Sequence, residues 1–170
     1  GWLAVAQAVI EEIAPDVFGG PYFAFYNRPK PAWFKDEYGS WSPCENASAT
    51  VAPDAFHGGN LFLRRELLPL AGGFDPALGM KGRQLAYGEE TALLRRLHTI
   101  RPETSFYYDP RLFVYHLVRP EKLSIWWQLR STFLHGRAYY PIYQPGEIPF
   151  SRRESLRYPM ETLRVGISAL

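Results

Sequence analysis

Two stretches of the chain repeat apolar residues at helical spacing. The apolar positions of residues 2–13 are Leu3, Ala6, Val9, Ile10 and Ile13. Those of residues 90–100 are Leu93, Leu94, Leu97 and Ile100. Intervals of three and four residues place each set on one side of a helix, so both stretches predict helices with one face packed inward.

Shorter apolar runs predict strands between and after these helices. The predicted strands cover residues 17–25, 61–63, 106–108 and 112–115. Gly19-Gly20-Pro21 should kink or bulge the first strand, and His116 ends the last one. A short helix over 65–71 is closed by Gly72.

The last third of the chain predicts two further helices. The first covers 120–137 with a proline in its first turn. Its apolar positions are Leu123, Trp126, Trp127, Phe133 and Leu134. A linker then leads to a basic amphipathic helix that contains Arg152, Arg153, Arg157 and Arg164. We therefore divide the chain into 1–143 and 144–170. The tail is interpreted as a helix packed on its own domain, with a peripheral membrane contact as the alternative.

The composition of the chain argues against several classes of protein. The 170 residues suit one domain, and a net charge of +2 is too small to predict nucleic-acid binding. The single Cys44 excludes an internal disulfide and fits a reducing compartment. No apolar run approaches the roughly 18–20 residues of a membrane span. The aromatic content of 16% is high, and aromatic faces suit sugar rings as well as cores.

The long polar segment 27–53 has no clear period and contains Trp33 and Trp41. Long loops inside compact domains are often functional. Trp33 and Trp41 could stack an acceptor sugar, or both indoles could simply pin an ordinary surface loop.

Glycine-containing turns and short apolar segments alternate between residues 56 and 97. Glu89 and Glu90 follow the glycine of the last turn and lie at the start of a predicted helix. Taken alone, the pair is explained by the helix dipole, which favours anions at this end. His116 taken alone is equally explained as a structural hydrogen-bonding group.

The order of several motifs resembles the family-two glycosyltransferases of the GT-A fold. The matching motifs are Gly59-Asn60 with Arg64-Arg65, Gly72-Gly73-Phe74-Asp75, Gly88-Glu89-Glu90-Thr91 with Leu94-Arg95-Arg96-Leu97, Tyr108-Asp109-Pro110 and Val114-Tyr115-His116. Each motif is weak singly, but the ordered set spans much of the chain. The resemblance implies an α/β fold that corresponds to the C-terminal, acceptor-side part of a GT-A domain. The family's Asp-x-Asp motif and nucleotide-binding strands would precede Gly1, and we expect the parent chain to be longer.

The resemblance also implies roles for individual residues. Glu90 occupies the position of the catalytic base, where aspartate is commoner, and Glu89 would help to bind hydroxyl groups of donor or acceptor. His116 would ligate a divalent metal, Mn²⁺ or Mg²⁺, together with the upstream carboxylates.

Further residues would handle the donor. His57, Gly58, Gly59 and Asn60 would line the donor-sugar pocket, where glycines allow close backbone approach and the amide reads hydroxyls. Lys81 and Arg83 would close over the diphosphate. Plain turns and isolated surface charges are the structural alternatives for these two groups.

The sequence therefore predicts an inverting glycosyltransferase. It would move a sugar from a nucleotide-sugar donor to a saccharide or lipid-linked acceptor, in the cytoplasm and in some settings at a membrane face. One alternative is a non-catalytic carbohydrate-binding or scaffold module. Another is a glycoside hydrolase, which fits less well because its two carboxyls must face each other across about 5–10 Å.

Overall fold

The computed structural model describes residues 1–49, 51–80, 82, 85–140 and 142–143. Within these ranges the protein is a mixed α/β structure. Its helices are α1 (Trp2–Glu12), α2 (Leu67–Leu70), α3 (Glu89–Ile100) and α4 (Ile125–Tyr139). Its strands are β1 (Val17–Gly19), β2 (Tyr22–Phe25), β3 (Leu61–Leu63), β4 (Phe106–Tyr108) and β5 (Val114–Leu117). The predicted C-terminal helix falls in the segment 144–170, outside the described residues.

The strands form two small sheets. The first has the order β3-β1-β4, in which β1 runs antiparallel to β3 and parallel to β4. Val17 pairs with Leu63 on one side and with Phe106 on the other. The second sheet is a parallel pair of β2 and β5, in which Ala24 lies opposite His116.

The segment Gly19-Gly20-Pro21 does more than kink one strand, as the sequence predicted. It divides the predicted strand 17–25 into β1 and β2, which belong to different sheets. Gly20 lies so close to the neighbouring backbone that an added Cβ would be 2.4 Å from the Leu112 carbonyl oxygen. Only glycine fits this close approach, and the chain passes there from one sheet to the next.

The main core lies between the first sheet and α3. Leu93, Leu94 and Leu97 of α3 are completely buried, as are Val17 and Tyr108 from the sheet. This set confirms the inward face predicted for α3, except that Ile100 is exposed. The fully buried leucines make α3 the best-anchored helix of the described structure and fix the direction of its first turn.

Three other elements differ from the prediction. Helix α1 buries Ala6 and Val9 but leaves Leu3, Ile10 and Ile13 exposed. Strand β5 is shifted along the chain, so His116 lies inside it and not at its end. The predicted helix 120–137 is a 3₁₀ turn at 120–123 followed by α4.

The described helices contain no segment that is long and apolar enough to cross a membrane.

Candidate functional site

The site is built on the N-terminus of α3, where the chain turns at Gly88. Gly88 has φ = 94°, in the left-handed region that side chains other than glycine rarely adopt. Glu89 and Glu90 follow in the first turn, where the helix dipole favours negative charge. The turn is closed by the Ala92 amide, which donates to the Gly88 carbonyl at 2.9 Å.

The Glu90 carboxyl lies directly against Gly58. An added Cβ at Gly58 would be 1.9 Å from Glu90 Oε1, so the absence of a side chain there is what makes room for the carboxyl. Burial raises the pKa of Glu90, and the nearby charge of Glu89 acts in the same direction. Backbone hydrogen bonds at Glu90 and Gly58 oppose the rise. The carboxyl is thus fixed in place and has an increased affinity for a proton.

An open groove of about 440 Å³ lies in front of this carboxyl. Its walls are Gly58, Leu61, Leu63, Arg65, Leu68, Phe74 and Glu90. Most of these side chains are apolar, and Arg65 and Glu90 are the two charged ones. A small molecule that enters the groove would meet the Glu90 carboxyl there, as expected for a base that acts on a bound hydroxyl.

Glu89 contacts a different segment from Glu90. Its carboxyl lies against Gly79, where an added Cβ would be 2.7 Å from Glu89 Cδ. Gly79 itself has φ = 75°. The adjacent carboxyls therefore rest against different glycines, Glu90 against Gly58 and Glu89 against Gly79. The basic residues expected beyond this turn, Lys81 and Arg83, lie outside the described residues.

An aromatic cluster continues the wall from Gly58. His57 packs edge to face on Trp41, with ring centroids 4.9 Å apart, and on Tyr22 at 5.6 Å. The same Tyr22 ring contacts His116 at 5.3 Å. Both imidazoles therefore lie against one tyrosine, and Gly58 connects this cluster to Glu90. The acidic pair and His116 belong to the same region of the molecule.

His57 is electrostatically unusual within this cluster. Burial, helped by the nearby His135, lowers its pKa to about 4. Its Nε2 atom is buried and has no hydrogen-bond partner within the described part of the chain. The imidazole is therefore neutral near pH 7, but its Nε2 atom is buried and His57 is not among the residues that line the described groove.

The surroundings of His116 do not favour the binding of a metal ion by this residue alone. The Gly39 backbone acts on the His116 imidazole in the sense that raises its pKa, and this contribution favours the charged ring. Burial lowers its pKa, and the charges of Lys122 and Arg119 act in the same direction and would repel a cation. In the ranges that the structure describes, no group of three His, Cys, Asp or Glu residues could hold a metal ion. These residues alone do not form a metal site.

The side chain of Asn60 forms hydrogen bonds to other parts of the protein, whereas the resemblance implies that it binds a sugar. Its side-chain oxygen accepts from the Trp2 indole at 3.0 Å, and its amide nitrogen donates to the carbonyls of Pro21 and Leu112. The residue is buried and connects α1 to the segments that precede β2 and β5. This geometry makes Asn60 a structural brace, with no amide group directed at a sugar. The neighbouring Gly59 is exposed and borders open space.

Trp33 lies apart from the groove. Its ring packs on the buried Phe34 at a centroid distance of 5.5 Å, which agrees with the structural alternative for this loop. Trp41, which was expected to act similarly, instead joins the His57 cluster and donates its indole hydrogen to the Ala55 carbonyl at 3.0 Å.

The polar face of α4 borders the same region and was not predicted from the sequence. The His135 and Tyr87 rings are in contact, with centroids 3.7 Å apart and planes tilted by 53°, and Tyr139 accepts a hydrogen bond from Thr91 at 3.3 Å. Ser131 bonds to the Tyr87 hydroxyl at 2.7 Å. Ser131, His135 and Tyr139 recur every four residues, and this polar stripe at helical spacing was the available signal.

No protein-family model, no curated protein and no solved structure matches this chain. Its function has to be argued from the residues and their geometry.

Proposed function

We propose that this chain is the acceptor-side part of an inverting glycosyltransferase with a GT-A fold. It would move a sugar from a nucleotide-sugar donor to a saccharide or lipid-linked acceptor. The observation that supports the proposal best is the Glu90 carboxyl, which is fixed against Gly58 at the edge of an open groove. The ordered motifs of the sequence support the same conclusion independently of the geometry.

The chemistry needs a base at this location. In inverting transfer, the acceptor hydroxyl attacks the anomeric carbon, the bond from that carbon to the donor phosphate breaks, and the hydroxyl proton passes to a base. Burial raises the pKa of Glu90 and so moves it towards the working pH, where a carboxylate is a more effective proton acceptor. The backbone hydrogen bond at Gly58 would hold the carboxyl in position for the acceptor.

The neighbouring residues have supporting roles. Glu89, held against Gly79, would bind hydroxyl groups at the side of the site. His57, Gly58 and Gly59 would form the backbone-rich wall of the sugar pocket. Asn60 would hold that wall in place from behind, through its bonds to Trp2 and to the carbonyl of Pro21.

The metal remains a prediction from the resemblance. A divalent cation would supply charge neutralisation for the leaving diphosphate. The described residues offer His116 but no set of three ligands around it. We therefore assign no step to the metal. Titration of Mn²⁺ into the full-length protein with and without nucleoside diphosphate would test this prediction.

The test of the proposal is Glu90→Gln in the full-length protein, with Glu12→Gln as the matched control. Glu12 is an exposed carboxylate at the end of α1. Glu90→Gln should lower kcat about 10²- to 10⁴-fold, the range for loss of a general base, and leave donor binding nearly unchanged. Glu12→Gln should behave as the wild type. Near-native turnover of Glu90→Gln would refute the assignment of the base.

A further inference from the structure

Helix α4 carries an unusual outer face. Trp126, Phe133 and Tyr140 are 81%, 71% and 73% exposed, and they are the three most exposed large apolar side chains of the described residues. Trp126 and Phe133 belong to α4, and Tyr140 follows its last residue with helical backbone angles. Single exposed aromatic residues are common, but three that recur every seven residues, about two helical turns apart, are not explained by chance exposure.

The helical geometry gathers these residues into one stripe with two cations. Arg130 lies four residues after Trp126, and Arg137 lies four residues after Phe133. At about 100° of rotation per residue, the five side chains fall within about 80° around the axis. Both arginines are exposed. We call these five residues the α4 stripe: Trp126, Arg130, Phe133, Arg137 and Tyr140.

The opposite face of α4 fixes this orientation. Gln128 is buried and donates to the Lys122 carbonyl at 2.8 Å. Ser131 is buried and bonds to the Tyr87 hydroxyl. If α4 rolled to bury its aromatic residues, both polar groups would lose their partners, and each such loss costs roughly 1–3 kcal/mol. The hydrogen bonds of Gln128 and Ser131 therefore keep the α4 stripe exposed to solvent.

The charge of α4 indicates what would cover the stripe. Residues 125–139 include two arginines and no aspartate or glutamate. Tryptophan and tyrosine prefer the headgroup level of a bilayer, and arginine can extend its guanidinium to lipid phosphates while its carbon stem contacts apolar chains. A narrow stripe that alternates aromatic rings with cations therefore matches an anionic lipid surface in both polarity and charge.

We propose that the α4 stripe is a docking surface for a membrane that contains anionic lipids. The helix would lie parallel to the bilayer with its three rings among the headgroups and its two arginines on lipid phosphates. This inference does not depend on the proposed enzymatic function. It is also distinct from a contact made by the tail 144–170, because it uses residues of the described domain.

The experiment is vesicle flotation of the full-length protein. Vesicles of phosphatidylcholine alone are compared with vesicles that also contain phosphatidylglycerol. We expect binding to the anionic vesicles, weakened by added salt. Arg130→Gln with Arg137→Gln should reduce the partition coefficient roughly 10- to 30-fold, because each arginine near an anionic surface contributes a factor of about five. Trp126→Ser with Phe133→Ser should reduce it at least about 10-fold.

Matched controls separate the stripe from the rest of the surface. Tyr115→Ser removes an aromatic side chain that is 69% exposed on β5, and Arg28→Gln removes an exposed cation. Both should float as the wild type does. Circular dichroism and the urea midpoint should show that every variant is folded, which is expected because the stripe residues have exposed side chains.

Three results would overturn the inference. The first is an absence of binding to anionic vesicles by the wild type. The second is binding that survives both stripe variants but is lost with Arg152→Gln and Arg153→Gln, which would assign the contact to the tail. The third is a dimer in light scattering that Trp126→Ser with Phe133→Ser converts to a monomer, which would make the stripe a protein interface.

Discussion

Helices α3 and α4 are neighbours, joined by the hydrogen bond from Thr91 to Tyr139, yet they bury different kinds of side chain. In α3 the apolar positions Leu93, Leu94 and Leu97 are completely buried. In α4 the buried residues are Gln128 and Ser131, and the rings of Trp126 and Phe133 face outward. The difference teaches that apolar periodicity predicts burial only where the surface opposite the helix is itself apolar.

The surfaces opposite the two helices explain the contrast. Helix α3 packs on the apolar core around β1 and β4, where burial of leucine is favourable. The inner face of α4 meets the hydroxyl of Tyr87 and the backbone carbonyl of Lys122, which form hydrogen bonds with Ser131 and Gln128. Polar residues satisfy those groups, and leucines would not.

The largest expected contrast comes from one truncation in each helix. Leu94 is 0% exposed, so Leu94→Ala should lower the free energy of unfolding by about 2–5 kcal/mol through the cavity it leaves. Phe133→Ala should change it by no more than about 0.5 kcal/mol, because most of that ring already contacts solvent. Urea unfolding with equal m-values checks both. A large loss for Phe133→Ala would mean that the outer face of α4 is covered.

The next contrast concerns adjacent glycines at the site. A Cβ at Gly58 would collide with Glu90, whereas a Cβ at Gly59 would meet nothing within 4 Å. Neither glycine has a positive φ, so the comparison isolates steric contact. We expect Gly58→Ala to lower the free energy of unfolding by roughly 1–3 kcal/mol and to reduce turnover, with Gly59→Ala close to the wild type. Equal behaviour of the two variants would show that Glu90 does not rest on Gly58.

A pH titration of stability tests the two unusual titrating groups. The pKa of His57 is lowered to about 4, so between about 4 and 6.5 the unfolded chain binds more protons and stability should rise with pH. The pKa of Glu90 is raised from its ordinary value of 4.5, so this group makes stability fall as the pH increases from about 4.5 to its raised folded-state pKa. His57→Gln should flatten the rise and Glu90→Gln should steepen it, measured as urea midpoints from acid to neutral pH. A wild-type slope in both variants would contradict this assignment.

The smallest expected effect probes the polar inner face of α4. Ser131→Ala should lower the free energy of unfolding by about 1 kcal/mol, because it leaves the Tyr87 hydroxyl without its partner. Tyr87→Phe combined with Ser131→Ala should cost less than the sum of the single changes, since both polar groups are then absent. Strict additivity would mean that the two hydroxyls do not interact.

The sequence predicted part of the fold and part of the candidate site. The period of three and four residues located α1 and α3, and the short apolar runs located β3 and β4, because these patterns are properties of single elements. The passage between sheets at Gly20 was missed, since it depends on a carbonyl of Leu112, ninety-two positions along the chain. In the site, Glu89 and Glu90 were placed correctly at a helix start, whereas the structural use of Asn60 could be seen only from its partners.

By itself, the sequence determined the local elements, the acidic pair that opens α3 and the chemistry available in the chain. Only the tertiary structure decided which of those groups meet: that Gly58 receives the Glu90 carboxyl, that Tyr22 contacts two imidazoles, and that α4 turns Trp126 and Phe133 outward. The reason is physical, since periodicity is set by neighbours along the chain, whereas burial and hydrogen bonding depend on the surface that each element meets after folding.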